Sequence, residues 1–272
     1  MNTLKIIFNQ QFPKGGNMKK VLILLAAVCA VSALAESTVL FVYDFETSEG
    51  YNAGTINGQK GWTYDWSDDD ANMIINDSTV AASGSQYLSM GYPGKDARCR
   101  NTFDISSSFK AGNKLLVTWF SAGPSSGTHY AKFHNLGTSG QPYNVEIAEL
   151  QIWSSTAQMT ICDPSTGKTK GVQKAISNPT DFHEFTLLLE PSTHAVLEYT
   201  IDGTVVFDQT AGYTYQNDAS NANNSGLGGD LIDGVRLQGH GAFDGFKVEM
   251  VPEPAIFGLI ALLGLFFARK QR

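Results

Sequence analysis

The chain has 272 residues, of which 42% are hydrophobic and 17% charged, with 27 Gly, 9 Pro and 3 Cys. That length suits one domain or at most two, and the composition excludes a collagen-like chain, a disulfide-dense scaffold and general disorder. A formal net charge of −7 excludes nucleic acid as the main partner, because a phosphate footprint needs clustered Lys and Arg.

The charge is unevenly placed. Lys5, Lys14, Lys19 and Lys20 precede the first acid, Glu36, and Arg269, Lys270 and Arg272 close the chain. Between residues 36 and 251, 12 bases face 25 acids, a net charge of −13. An acidic body therefore lies between two basic, apolar ends that read as address labels.

At the N-terminus, Met18-Lys19-Lys20 is a positive n-region, Val21 to Val31 is an apolar run, and Ala33-Leu34-Ala35 is a small-x-small cleavage site. Together they read as a secretory signal peptide cut by signal peptidase after Ala35. The apolar run is too short to span a bilayer comfortably. Cys29 is the one candidate for lipid attachment, but Val28 stands where lipidation wants Gly or Ala. Residues 1–17, with Pro13 and Gly15-Gly16, do not resemble an n-region, so translation is expected to begin at Met18.

From residue 36 to 250 no long helical period appears. Short alternating runs recur between clusters of Gly, Pro, Asn, Asp and Ser, the pattern of an all-β chain. Strands are expected at Val39 to Glu46, Gln86 to Met90, Lys114 to Ser121, Tyr143 to Trp153, Phe182 to Glu190, Ala195 to Ile201, Thr204 to Asp208, Leu231 to Gln238 and Phe246 to Met250. His183, Phe185, Leu187 and Leu189 should face inward. Leu197, Tyr199 and Ile201 should share one face, and Asp202-Gly203 should close a tight hairpin. From Asp208 to Gly229 the apolar period is lost, which predicts a long loop. So many strands over this length predict a two-sheet antiparallel β-sandwich of jelly-roll type.

Phe182-His183-Glu184-Phe185-Thr186-Leu187, followed by Leu197 to Val206, resembles the late hairpin of LamG-like, concanavalin A-like domains. Asp44-Phe45-Glu46 with Gly58 to Trp62 resembles their opening, and Phe243 to Val248 their closing strand. The resemblance implies that the first and last strands are neighbours in one sheet, which would make Phe45 and Phe246 core residues. The scaffold serves lectins, glycosidases and inert surface modules alike, so it fixes no activity.

The residues that could carry chemistry are few. Laminarinase-type glycosidases of this fold carry Glu-x-Asp-x-Glu on one strand, and Glu146-Ile147-Ala148-Glu149-Leu150 is the nearest run. Under strict alternation Glu146 shares a face with Ala148 and Leu150, whereas Glu149 points the other way. Retaining chemistry needs two carboxyls about 5 to 5.5 Å apart, so no dyad, and no catalytic residue, is expected. No Gly-x-Ser-x-Gly elbow is present. His129 and His134, five apart, should lie on opposite faces as surface or edge histidines. Cys99 and Cys162 either pair in an oxidising compartment or remain thiols. Trp62, Tyr64 and Trp66 alternate, and so form either an aromatic platform for sugar rings or packing between sheets. No cofactor is expected beyond a structural Ca²⁺, for which Asp44, Glu46 and Asp244 are the candidate oxygens; the plainer reading is surface acids.

The tail reads Val251-Pro252-Glu253-Pro254, an apolar run from Ala255 to Ala268, and a basic end. Fourteen apolar residues reach about 21 Å, short of the roughly 30 Å bilayer core, so the helix suits a transient stop better than a permanent anchor. The basic end should stay cytoplasmic. Pro252-Glu253-Pro254, the short apolar helix and the basic terminus resemble the PEP-CTERM signal of exported bacterial proteins. That resemblance implies recognition by an exosortase at Pro252, Glu253 and Pro254, then release or attachment at the cell surface or extracellular matrix. The expectation is thus a signal peptide over 1–35, a β-sandwich over 36–250 and a transmembrane sorting signal over 251–272. The body is expected to be a non-enzymatic module that binds polysaccharide. The alternative is a glycan-cleaving enzyme of the concanavalin A-like fold.

Overall fold

The computed structural model describes residues 37–64, 73–77, 80–91, 97–124, 127–135, 145–163, 165–215 and 231–252. The expected signal peptide, Glu253, Pro254 and the expected transmembrane run lie outside them. Among the described residues no helix is long and apolar enough to cross a membrane.

The strands follow in chain order. The first eight are β1 (Thr38–Tyr43), β2 (Gly54–Thr55), β3 (Thr63–Tyr64), β4 (Met73–Asp77), β5 (Gln86–Met90), β6 (Ala97–Thr102), β7 (Lys114–Ala122) and β8 (Thr128–Asn135). The others are β9 (Val145–Trp153), β10 (Thr156–Asp163), β11 (Lys168–Ala175), β12 (His183–Glu190), β13 (Ala195–Ile201), β14 (Thr204–Phe207), β15 (Gly234–Gly239) and β16 (Gly241–Val251). They form two antiparallel sheets. The nine-stranded sheet runs β14-β13-β12-β7-β16-β5-β4-β2, with β1 also on β16, and the seven-stranded sheet runs β11-β10-β9-β8-β15-β6-β3. The expected β-sandwich is therefore present.

β16 organises the larger sheet. One edge pairs with β7 along most of its length; the other is divided between β5, at Gly241 to Phe243, and β1, at Phe246 to Met250. The changeover falls at Asp244 and Gly245, where β16 carries one residue more than β7. Gly245 sits at φ +56°, and a side chain there would run into the Phe120 ring. The first and last strands are thus antiparallel neighbours, as expected, with Tyr43 opposite Phe246.

Between the sheets lies an aromatic core. Phe246 is fully buried, as is Phe45. The Phe246 ring stacks at 6.0 Å on Phe133 of the opposing sheet, and Phe133 meets Trp119 edge-on at 4.7 Å. In β12, His183, Phe185, Leu187 and Leu189 are buried as the alternation predicts. In β13 the pattern departs from expectation: Leu188 pairs with Glu198 but Leu189 with Val196, so Leu197 is an extra residue. Val196 takes the buried position, while Leu197 is only half-buried.

His129 and His134 lie on opposite faces of β8, yet neither is a surface residue, since both are buried. His129 points between the sheets, with its Nε2 3.1 Å from the Ser121 hydroxyl. Burial pushes its pKa down to about 3, so the core holds a neutral imidazole. Part of the expected long loop, residues 208–215, lies among the described residues. Residues 213–215 hydrogen-bond to Cys162 on β10 and to His194 and Val196 beside β13, lacing the two sheets together at one end. Residues 216–230 lie outside the described segments.

β11 differs from every other long strand: seven of its eight residues are exposed, and Lys168, Lys170 and Lys174 project from it. Among the described residues it is one edge of the seven-stranded sheet.

The Phe246→Ala variant should lose about 3 to 5 kcal/mol of stability, the cost of an emptied aromatic site in a core. Urea denaturation with an unchanged slope checks this.

Candidate active site

Register across the seven-stranded sheet defines its outward face. Arg98 and Arg100 flank the buried Cys99 on β6, and Arg236 stands between the buried Val235 and Leu237 on β15. Lys132 lies between the buried Ala131 and Phe133 on β8. All four therefore project away from the core. Cross-strand pairing sets Arg100 opposite Arg236, Arg236 opposite Lys132, Lys132 opposite Glu149, and Glu149 opposite Thr160. The next row is uncharged after Arg98: Gln238, Tyr130, Gln151, Gln158 and Gln173 follow in register. Gln151 donates to the Tyr130 hydroxyl at 3.0 Å, and Gln173 to Gln158 at 2.9 Å. Tyr130 also lies under the Lys132 ammonium, 5.8 Å from ring centre to nitrogen.

The acids on this face correct the expectation that Glu146 and Glu149 oppose each other. Phe133 pairs with Ala148 but His134 with Glu146, so Ile147 is an extra residue in β9. Both Ile147 and Ala148 are fully buried. A bulge of this kind sets two residues against one and changes the parity of everything beyond it. Glu146 and Glu149 therefore emerge on the same side and both bind Lys132, Glu146 at 3.1 Å and Glu149 more closely still. Burial works against the Lys132 charge, but the hydrogen bond to Glu149 and the charges of both glutamates outweigh it. The pKa of the ammonium is raised. Two oxygens sharing one nitrogen at hydrogen-bond distances of about 3 Å cannot be more than about 6 Å apart. That bound contains the separation of about 5 to 5.5 Å used by retaining glycosidases.

The other expected site residues have different roles. Trp62 is fully buried and donates its indole N–H to the Tyr51 hydroxyl at 3.1 Å, so it is sheet packing and not part of a sugar platform. Tyr64 is half-buried, its hydroxyl 2.7 Å from that of Thr55, and it ties β3 to the edge of the other sheet. Trp66 lies outside the described residues.

Asp44, Glu46 and Asp244 do not assemble as a metal site: among the described residues no group of three His, Cys, Asp or Glu side chains is placed to hold an ion. Glu46 accepts from the N–H groups of Ser85 (2.6 Å) and Gln86 (2.7 Å), and Asp244 from those of Ser83 and Gly245, both at 2.8 Å. The Asp44 N–H donates to Glu49 at 2.8 Å. Glu46 and Asp244 fasten the 83–86 turn to the first and last strands. Gly84, at φ +63°, admits Glu46 because it has no side chain.

Cys99 and Cys162 are both buried thiols. They stand on β6 and β10, four strand spacings apart in one sheet, or about 19 Å at 4.8 Å each. A disulfide needs Cα atoms within about 7 Å.

Sequence reasoning missed Tyr130, Lys132, Arg98, Arg100, Arg236, Gln151 and Gln238. The signal was present in Arg-Cys-Arg and Val-Arg-Leu-Gln, where polar residues alternate with apolar ones.

No protein-family profile matches this sequence, and no curated protein sequence matches it. Among solved structures, the chain is similar to a conserved carbohydrate esterase from the Shiga toxin-encoding bacteriophage phi24B. That match has 12% identity and a TM-score of 0.47, covering 80% of this chain and 100% of that one. It is similar to the laminarinase from Rhodothermus marinus at 13% identity and a TM-score of 0.45, covering 81% and 100%. It is also similar to an endo-beta-1,4-glucuronan lyase from Trichoderma reesei at 13% identity and a TM-score of 0.42, covering 79% and 96%. At these values no residue role passes from them to this chain. The expectation of a non-enzymatic module is nevertheless corrected. It rested on the absence of an acid dyad, and β9 brings Glu146 and Glu149 together on Lys132.

Burial raises the Asp244 pKa from the usual 3.8 to about 7, against the lowering effect of its backbone hydrogen bonds. A carboxyl that is more basic folded than unfolded binds its proton more tightly in the folded state. Its contribution is therefore full below about pH 4 and lost as pH rises through about 7. Thermal melts from pH 4 to 8 should show Asp244→Asn losing this fall in stability relative to the parent protein.

Proposed function

We propose that this protein is an exported glycan-cleaving enzyme of the concanavalin A-like, LamG-like jelly-roll class, acting through Glu146 and Glu149. The observation that carries the reading is the β9 bulge at Ile147, which brings both carboxylates to one ammonium on the polar outward face of the sheet. Two carboxyls about 5 to 5.5 Å apart can divide the work of retaining hydrolysis, and a shared ammonium permits that spacing. One protonates the leaving glycosidic oxygen while the other attacks the anomeric carbon, and water, deprotonated by the first, then releases the sugar. Lys132 positions the pair, and the Tyr130 and glutamine row offers donors and acceptors to sugar hydroxyls. Glu146→Gln and Glu149→Gln should each lower reducing-sugar release from a susceptible polysaccharide by about 100-fold or more, the usual weight of a catalytic acid or base. Unchanged release in both variants overturns the assignment.

The ends of the chain complete the proposal. Met18 to Ala35 directs export with cleavage by signal peptidase. Pro252-Glu253-Pro254, with the apolar run and basic terminus, directs exosortase sorting, so the protein is membrane-anchored in transit and then resides at the cell surface or in the matrix. Support comes from the three-part order of the tail and from β16, which ends at Val251 immediately before the motif. Deleting residues 251–272 should move the protein from the envelope to the medium, measured by fractionation and immunoblot; unchanged cell association overturns the sorting role.

A further inference from the structure

We propose that the outward face of the seven-stranded sheet binds an anionic polysaccharide, whose carboxylate or sulfate groups are held by Arg98, Arg100 and Arg236; this rests on reading that face as the glycan site. Residues 36–251 contain only three arginines, and all three lie here, on the adjacent strands β6 and β15. Arg100 and Arg236 are direct cross-strand partners, with Lys132 next in the same row. The body as a whole carries a net charge of −13 over these residues and repels a polyanion; this face is where one can settle.

The choice of Arg also points to oxyanions. A planar guanidinium matches carboxylate and sulfate with two parallel hydrogen bonds, and its five donors can hold a protein acid and a ligand anion together. The cations end at Lys132, directly beside Glu149. A chain that lays its acidic groups along the arginines thus brings a neighbouring glycosidic bond to the carboxylate pair, while the arginines offset the repulsion between polyanion and dyad. Gln238, Tyr130 and Gln151 form the next row and face the uncharged hydroxyls.

The test is affinity electrophoresis of the full chain through gels containing polygalacturonate, dextran sulfate or laminarin, with reducing-end release measured in parallel. Polygalacturonate or dextran sulfate should retard the protein at least tenfold more strongly than laminarin, with the effect weakening as salt rises; the stronger of the two identifies carboxylate or sulfate as the group. Arg236→Gln should weaken retardation about tenfold and Arg236→Lys should restore part of it, with melting curves confirming that both variants are folded. Equal retardation by laminarin, no retardation by either polyanion, or a folded Arg236→Gln that binds as the parent does overturns the inference. Retardation by a polyanion without cleavage of any polymer supports the anionic site and overturns the hydrolytic reading alone.

Discussion

Strict two-residue alternation is the constraint on which this molecule depends, because each strand of a sandwich must keep one face dry. Where a strand carries one residue too many, everything beyond that point turns over relative to its neighbour. Among the described residues the chain does this at five places, Leu40 of β1 and Val206 of β14 being two of them. In β13 the surplus residue is Leu197, and Val196 enters the core in its stead. In β16 the surplus falls at Gly245 and Phe246, where the strand changes partners from β5 to β1. In β9 it is Ile147, and the result is chemical: two glutamates that counting separates are brought together on Lys132.

Much of the fold was legible because alternation is a strong signal wherever one face is wholly apolar. β5 and β13 fall on their predicted bounds, and β7 and β12 differ by one residue. The closure of β1 on β16 was implied instead by the resemblance of Asp44-Phe45-Glu46 and Phe243 to Val248 to concanavalin A-like domains. β6, β10 and β11 were not read as strands. β6 buries only a Cys and an Asn among its neighbours' larger side chains, and β11 buries almost nothing. β10 does alternate, with Ala157, Met159 and Ile161 buried, whereas the place of β11 is decided by the strand beside it.

The site was less legible than the fold for the same reason. A bulge has no residue signature of its own in Glu-Ile-Ala-Glu, since both Ile147 and Ala148 suit a core. The arginine row is spread over β6 and β15, more than 130 residues apart in sequence and adjacent only after pairing. Acids at strand ends looked like ligands because their chemistry suits a cation. Glu46 and Asp244 are occupied with backbone N–H groups of the 83–86 turn, a role that only the fold reveals.

The lysine-bearing edge strand β11 carries a consequence for life at high density. An unpaired strand offers its backbone N–H and C=O groups to any second extended chain, and sheets of separate molecules can fuse there. With Lys168, Lys170 and Lys174 along that edge, two copies meeting edge to edge would crowd ammonium groups against each other. That crowding disfavours edge-to-edge association of two copies, on the side of the sheet farthest in strand order from the arginines.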